Sequence, residues 1–240
     1  NLSAYYEEED RFWYEFGTSI LGPILTLAAE WVIDIALENN ISNIYPLMRG
    51  GEVQTSLLNN ALKARRLDFF SIKPLYISRR ASYLASLPSI NNEVIISQVL
   101  NVPWLRVEAL FRRLRIEDHP FTNFRNKTLS EASHLELNHG KTLKDEITNF
   151  LLSKLELIQT IQKEESKLLF TYLSSNFSIK TPFLTFDVGH AGSIQHAFEK
   201  VLAKFGYESV GIHLIIMGNE MTTQKILDGV DIRGFLANMG

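Results

Sequence analysis

The 240-residue chain contains no cysteine. That single absence removes disulfides, thiolate metal sites and cysteine nucleophiles, and it fits a reducing compartment, so a cytoplasmic location is expected. An excess of either charge is missing too: 24 basic side chains stand against 27 acidic ones, for a formal net charge of -3. No global field draws the chain toward nucleic acid or an anionic membrane, and neither is an expected partner. The opening stretch "NLSAYYEEEDRFWYEF" has neither the basic start nor the apolar core of a signal peptide. Fixed-period repeats, low-complexity tracts, a Walker lysine loop and a G-x-S-x-G elbow are also lacking. The longest apolar stretch, "ILGPILTLAAEWVIDIALE", is interrupted by Pro23, Glu30 and Asp34 at helical spacing. It reads as a buried amphipathic helix rather than a membrane span.

What is present is an ordinary globular composition, 45% hydrophobic and 21% charged, in a chain long enough for one large domain with a full core. The abrupt start at Asn1 and stop at "GFLANMG" point to a piece of a longer protein, so additional domains or partner proteins are expected. After the first long helix, "ISNIYPLM" reads as a strand, "RGGE" as a glycine turn and "VQTSLLNNALKARR" as a helix, the first half of a βαβ unit. "KPLYIS" (73–78) reads as the next strand. From about Leu84 to Asn176 strand signals nearly vanish and helical periodicity takes over. Then "TPFLTFDV", "SVGIHLII" and "DIRGFLA" supply three more strands, with a helix from Gly192 to Phe205 between the first two. The expected fold is α/β, a parallel-sheet core formed by residues 1–83 and 179–240 with a large helical insertion, or hood, at 84–178.

Two strand-to-helix turns carry the chemistry, because ligands in an open parallel sheet collect beyond the carboxyl ends of the strands. In "FLTFDVGHAGSIQHAFEKVL" (183–202) an acid and two glycines separate a greasy strand from an amphipathic helix. Gly189, Ala191 and Gly192 allow close backbone approach, and the free amides at the helix start, with the Ser193 hydroxyl, favour an anion such as a phosphate. Asp187, just before them, can accept hydrogen bonds from sugar hydroxyls. Together they suit a ribose 5-phosphate. The alternative is a tight turn whose glycines only let helix pack on strand while Asp187 caps the helix. The first turn places Arg49 beside Gly50 and Gly51, a combination suited to a second phosphate or a pyrophosphate.

A strand followed by "RGG" and a helix, then a strand, an acid, a small-residue loop and a helix, resembles the type I phosphoribosyltransferase fold. Closer still, "LGPIL…W", "RGG", "YISRRAS" and "DVGHAGSIQ" are similar to the phosphoribosyltransferase-like region that follows haloacid-dehalogenase-type domains in bacterial polysaccharide-biosynthesis-associated proteins. The resemblance implies a phosphorylated ribose or nucleotide ligand, foremost phosphoribosyl diphosphate with Mg²⁺. Arg49, Gly50 and Gly51 would hold the diphosphate, Asp187 the ribose hydroxyls, and Gly189 to Ser193 the 5-phosphate. The acceptor would lie under the helical hood. Active members usually carry two adjacent acids, whereas here Val188 follows Asp187. A second reading is therefore a binding or regulatory module that keeps the pocket without turnover. The aspartate pair at i, i+2 that a haloacid-dehalogenase phosphatase needs occurs nowhere in the chain.

Other candidates remain open. Arg79 and Arg80 follow a strand and could reach the diphosphate, or form a solvated basic corner. His190 is a general acid or base, or simply a loop residue. His119, His134 and His139 lack the i, i+4 spacing of a helical zinc pair. Trp104, Leu105, Phe111 and Arg112 to Arg115 make a basic amphipathic helix that would contact an acidic partner or pack half-buried in a core.

Overall fold

In a computed structural model, which describes residues 8–48, 51–137, 140–176, 181–208 and 210–238, the fold is α/β with an all-parallel sheet and a helical unit. The chain divides into two compact units: Asn1–Ser78, Asn176–Glu199 and Gly206–Gly240 form one, and Arg79–Ser175 with Lys200–Phe205 the other.

The sheet unit begins with α1 (Glu8–Phe16), which passes through a π-helical turn at Gly17–Leu21 into α2 (Gly22–Glu38). Pro23, at the start of α2, has no N–H to give the i−4 carbonyl, and the Gly22 amide bonds Gly17 O instead, so the local widening has a covalent cause. Only the second half of this long helix is core: Ala28, Ala29, Val32, Ile33 and Ala36 are buried. Within the stretch expected to be a buried amphipathic helix, Ile20, Leu21 and Leu27 are exposed, as are Phe12 and Trp13 of α1 before it. By length and composition Asp10–Glu38 is apolar enough to cross a membrane.

Strand β1 (Asn43–Pro46), helix α3 (Gly51–Arg65) and the short strand β2 (Ser71–Ile72) follow. The strand expected at 73–78 is displaced: the regular pairing lies at Ser71 and Ile72, and beyond it only Leu75 bridges back to Leu47. Pro74 cannot donate to a ladder, which limits the pairing to isolated contacts there.

The helical unit contains α4 (Arg79–Ser86), α5 (Asn92–Val94), α6 (Val107–Arg113), α7 (Leu129–His134), α8 (Leu143–Ser153) and α9 (Leu155–Asn176). Its core joins Leu84, Ile95, Leu110, Phe111, Leu114, Ile147 and Leu151 among others. Thr128 with Glu131, and Thr142 with Asp145, close capping boxes that start α7 and α8. Helix α9 is bolted to the end of α4 and the segment after it by polar side chains: Gln162 Nε2 donates to Leu87 O and Pro88 O, and the Ser166 hydroxyl to Ala85 O.

The chain then returns to the sheet with β3 (Phe183–His190), α10 (Ser193–Lys204), β4 (Gly211–Gly218), α11 (Glu220–Leu227) and β5 (Ile232–Asn238). The strand order is β2-β1-β3-β4-β5, every pairing parallel. Buried on both faces, β3 and β4 read as nearly continuous apolar runs, and their side chains alternate between two layers. Leu184, Phe186, Ile212, Leu214 and Ile216 pack with α2 and α3. Phe183 meets Phe198 of α10 at 5.6 Å, and the Thr185 hydroxyl meets His213, on the opposite layer. The chain steps outward from β1 to β2, then crosses back to β3, so the strand order reverses between β1 and β3. Ligands of doubly wound sheets bind at the carboxyl side of such a reversal.

Candidate functional site

Both glycine turns lie at that reversal. In register, Pro46 of β1 opposes Phe186 of β3, and the Leu47 amide donates to Phe186 O at 2.8 Å. The chain past Leu47 therefore leaves the sheet level with Asp187. Arg49 and Gly50 fall outside the described residues. Gly51 opens α3 and is buried; a Cβ there would stand 2.6 Å from Met48 Sδ, so the turn closes tightly on its own methionine.

On the second turn β3 runs two residues further than the expected end at Val188. Gly189 pairs with Met217 and His190 with Gly218. The extension is bought with unusual backbone: φ is +115 at Gly189 and +111 at His190. At Gly189 a side chain is excluded outright, since a Cβ would lie 2.3 Å from Met217 O. His190 has no such exemption, and a non-glycine residue in that region holds strain of about 1–3 kcal/mol. What holds it is its carbonyl, which accepts from the Asn219 amide at 3.1 Å and the Thr222 hydroxyl at 2.7 Å. The imidazole itself is exposed. Only Ala191 and Gly192, both buried, separate strand from helix.

Gly192 has φ +59 and backs onto β5, where a Cβ would come within 2.7 Å of Ile232 Cδ1. Its carbonyl accepts the first bond of α10, from the His196 amide at 3.0 Å. The amides of Ser193, Ile194 and Gln195 thus precede the first intrahelical bond, at the positive end of a 12-residue helix. Asp187 shares this turn: Gln195 Nε2, one turn into α10, donates to its Oδ2 at 3.2 Å. The geometry is that of a short anion-compatible turn with one carboxylate beside it.

Sequence reasoning passed over Gln54, in the first turns of α3. It is 2% exposed, and among the described residues neither its amide nitrogen nor its oxygen has a hydrogen-bond partner; the Thr55 hydroxyl beside it is likewise buried and without a partner among them. Leaving such a group unpaired costs about 1–3 kcal/mol. The signal was available: Gln54 lies on the stripe of Leu58, Ala61 and Leu62, all buried, so a polar residue interrupts an apolar face.

The other sequence candidates lie elsewhere. Arg79 and Arg80 open α4 and belong to the helical unit. His139 falls outside the described residues. Among the described residues no group of three or more His, Cys, Asp or Glu side chains could hold a metal ion.

A polar network inside the sheet unit also escaped the sequence. Thr185 Oγ1 lies 2.8 Å from His213 Nδ1, and His213 Nε2 lies 2.7 Å from Glu199 Oε1. The order hydroxyl, imidazole, carboxylate matches a nucleophilic triad, but Thr185 is 1% and His213 0% exposed. A substrate cannot reach that hydroxyl, so the network joins β3, β4 and α10 as a structural tie. No protein-family model matches the chain, and no curated protein matches its sequence.

Proposed function

We propose that the sheet unit binds a phosphorylated ribose at the β1/β3 reversal, foremost phosphoribosyl diphosphate, and transfers the ribosyl phosphate to an acceptor. The observation that carries the reading is the parallel pairing of β1 with β3, so that two glycine-bearing segments follow adjacent strands, one with Asp187 at its root and the other leading to the buried amide of Gln54, which has no partner among the described residues. The α10 amides and Ser193 would seat the 5-phosphate, Asp187 the ribose hydroxyls, and Arg49 with Gly50 and Gly51 the diphosphate. In such a transfer the bond from the anomeric carbon to the diphosphate oxygen breaks, pyrophosphate leaves with the electron pair, and an acceptor lone pair closes on the cationic carbon. The protein's part is to position both ends and to place negative charge near that carbon. Mg²⁺ would arrive with the diphosphate. A cytoplasmic setting suits a cysteine-free chain of this kind.

The second reading, a ligand-binding module without turnover, is favoured by one contact: the sole carboxylate of the turn already accepts from Gln195. Calorimetric titration with ribose 5-phosphate and phosphoribosyl diphosphate, run beside a pyrophosphate-release assay over a set of nucleobases, separates the two. Both ligands should bind wild type. Ser193→Asp should abolish binding without lowering the thermal midpoint, because a carboxylate in the first turn suits the helix dipole and repels a phosphate. Undiminished affinity in that variant would remove the anion seat. Binding with no pyrophosphate released over the whole set would decide for the module.

A further inference from the structure

The helical unit has a cavity of about 380 Å³ whose lining includes Arg80, Arg112, Arg115 and Arg125, set against Glu108 and Glu117. Two of these arginines are committed: Arg112 pairs with Glu108 at 2.5 Å, and Arg115 with Glu165 through Nε at 3.0 Å and a second nitrogen at 3.4 Å. Arg80 and Arg125 have no ion-pair or side-chain hydrogen-bond partner among the described residues, although they come from α4 and from the turn after Phe124. Single exposed arginines signify little. Two unneutralised forks lining one concavity are different, since guanidinium geometry matches phosphate oxygens and the concavity is within the size range of small-molecule sites.

The rest of the lining is Phe111, Ile116, His119 and Thr122. Phe111 is 1% and Ile116 5% exposed, and the Phe111 ring stacks on His119 with centroids 3.9 Å apart and planes 14° from parallel. His119 Nδ1 accepts the Phe121 amide at 3.2 Å, which leaves the proton of the neutral ring on Nε2. Burial pushes the His119 pKa below its ordinary value, against the opposing effect of Asp118, so the neutral ring is favoured. Glu117 adds a carboxylate with no ion-pair partner among the described residues, an acceptor for hydroxyl or amino donors.

We propose that this cavity is a binding site for a nucleoside phosphate, with the phosphate on Arg80 and Arg125, the base against the half-buried His119 ring that Phe111 backs, and a sugar or amino donor on Glu117. The base supplies the flat apolar surface that the floor demands, the phosphate answers the two free cations, and the sugar supplies the donors that a lone carboxylate calls for. Every named residue belongs to the helical unit. The site therefore stands independently of the ribose-phosphate reading for the sheet.

The test uses the full chain, titrated calorimetrically with AMP, GMP, CMP and UMP, with adenosine and inorganic phosphate as partial ligands, in wild type and in Arg80→Met, Arg125→Met and Ser193→Asp. At least one nucleoside monophosphate should bind wild type more tightly than adenosine or phosphate alone. Each arginine variant should weaken that binding by about tenfold or more, the scale of a lost charge-assisted contact, while its thermal midpoint stays at the wild-type value because neither arginine has a partner to lose. In Ser193→Asp, whose sheet turn no longer seats a ribose phosphate, the nucleotide binding that depends on Arg80 and Arg125 should persist, which separates this site from the sheet turn. The proposal falls if no monophosphate binds at millimolar concentration, if both arginine variants bind as wild type does, or if inorganic phosphate alone binds as tightly as the nucleotides.

Discussion

Replacing His213 by leucine should destabilise the protein more than replacing Glu199, the residue it bonds. His213 has no exposed surface and Glu199 is 8% exposed. Glu199 Oε2 already has no partner, so the imidazole N–H at 2.7 Å is the one side-chain contact that the carboxylate makes among the described residues. His213→Leu removes it and leaves a buried carboxyl with neither oxygen paired. Breaking a buried pair in this way costs roughly 3–5 kcal/mol, and the partial exposure of Glu199 places the expectation near the lower figure, about 3. Glu199→Leu leaves an imidazole that still meets the Thr185 hydroxyl through Nδ1, so only one ring nitrogen loses its partner, at about 1–2 kcal/mol. The double variant should be less damaged than His213→Leu alone. It strands no carboxylate, and leucine at 213 faces Phe183 and Phe198, whose rings stand 6.0 and 5.9 Å from the imidazole. Urea unfolding followed by circular dichroism gives the midpoints of all four proteins. If the double variant loses the sum of the two single losses, the residues are uncoupled and the tie does not exist.

Three further outcomes test other parts of the structure. His190→Gly should raise stability by about 1 kcal/mol, because φ +111 suits glycine and its relief exceeds the added unfolded-state entropy; a lowered urea midpoint would show that the side chain, not the backbone, holds that turn. If the sheet unit is a transferase, Asp187→Asn should remove far more turnover than ligand affinity, since the carboxylate charge favours a cationic transition state over the bound ground state; full pyrophosphate-release activity in the variant would end the catalytic assignment. Lys204, an exposed residue whose ammonium donates to Ala85 O at 2.6 Å, has its pKa lowered to about 8 by burial and by Lys200. The unfolded lysine binds its proton up to higher pH than the folded one, so its penalty is full below about 8 and fades toward 10.5. The wild-type midpoint should therefore rise relative to that of Lys204→Met across that window, and parallel curves would contradict it.

The sequence by itself determined the elements whose cause is local. Phe183 to Phe186 and Ile212 to Ile216 are legible as buried strands because each run is apolar but for one residue, Thr185 and His213, and the helices of the middle segment because their apolar residues recur at helical spacing with Thr-x-x-Glu and Thr-x-x-Asp boxes at two starts. The glycine turns after β1 and β3 were legible for the same reason: glycine marks a backbone need where it stands. Only the tertiary structure decided what those elements do together. Strand order depends on which edges pair, and Ile44 opposes Leu184, 140 positions further along the chain. Gly192 owes its lack of a side chain to Ile232 on another strand, and the strain at His190 is held by Asn219 and Thr222. Thr185, Glu199 and His213 form one network, and Arg80 shares a cavity with Arg125, only because the fold closes those separations. Propensity and periodicity act over a few residues of chain, whereas register, burial and electrostatic partnership act through space between residues that the chain keeps far apart.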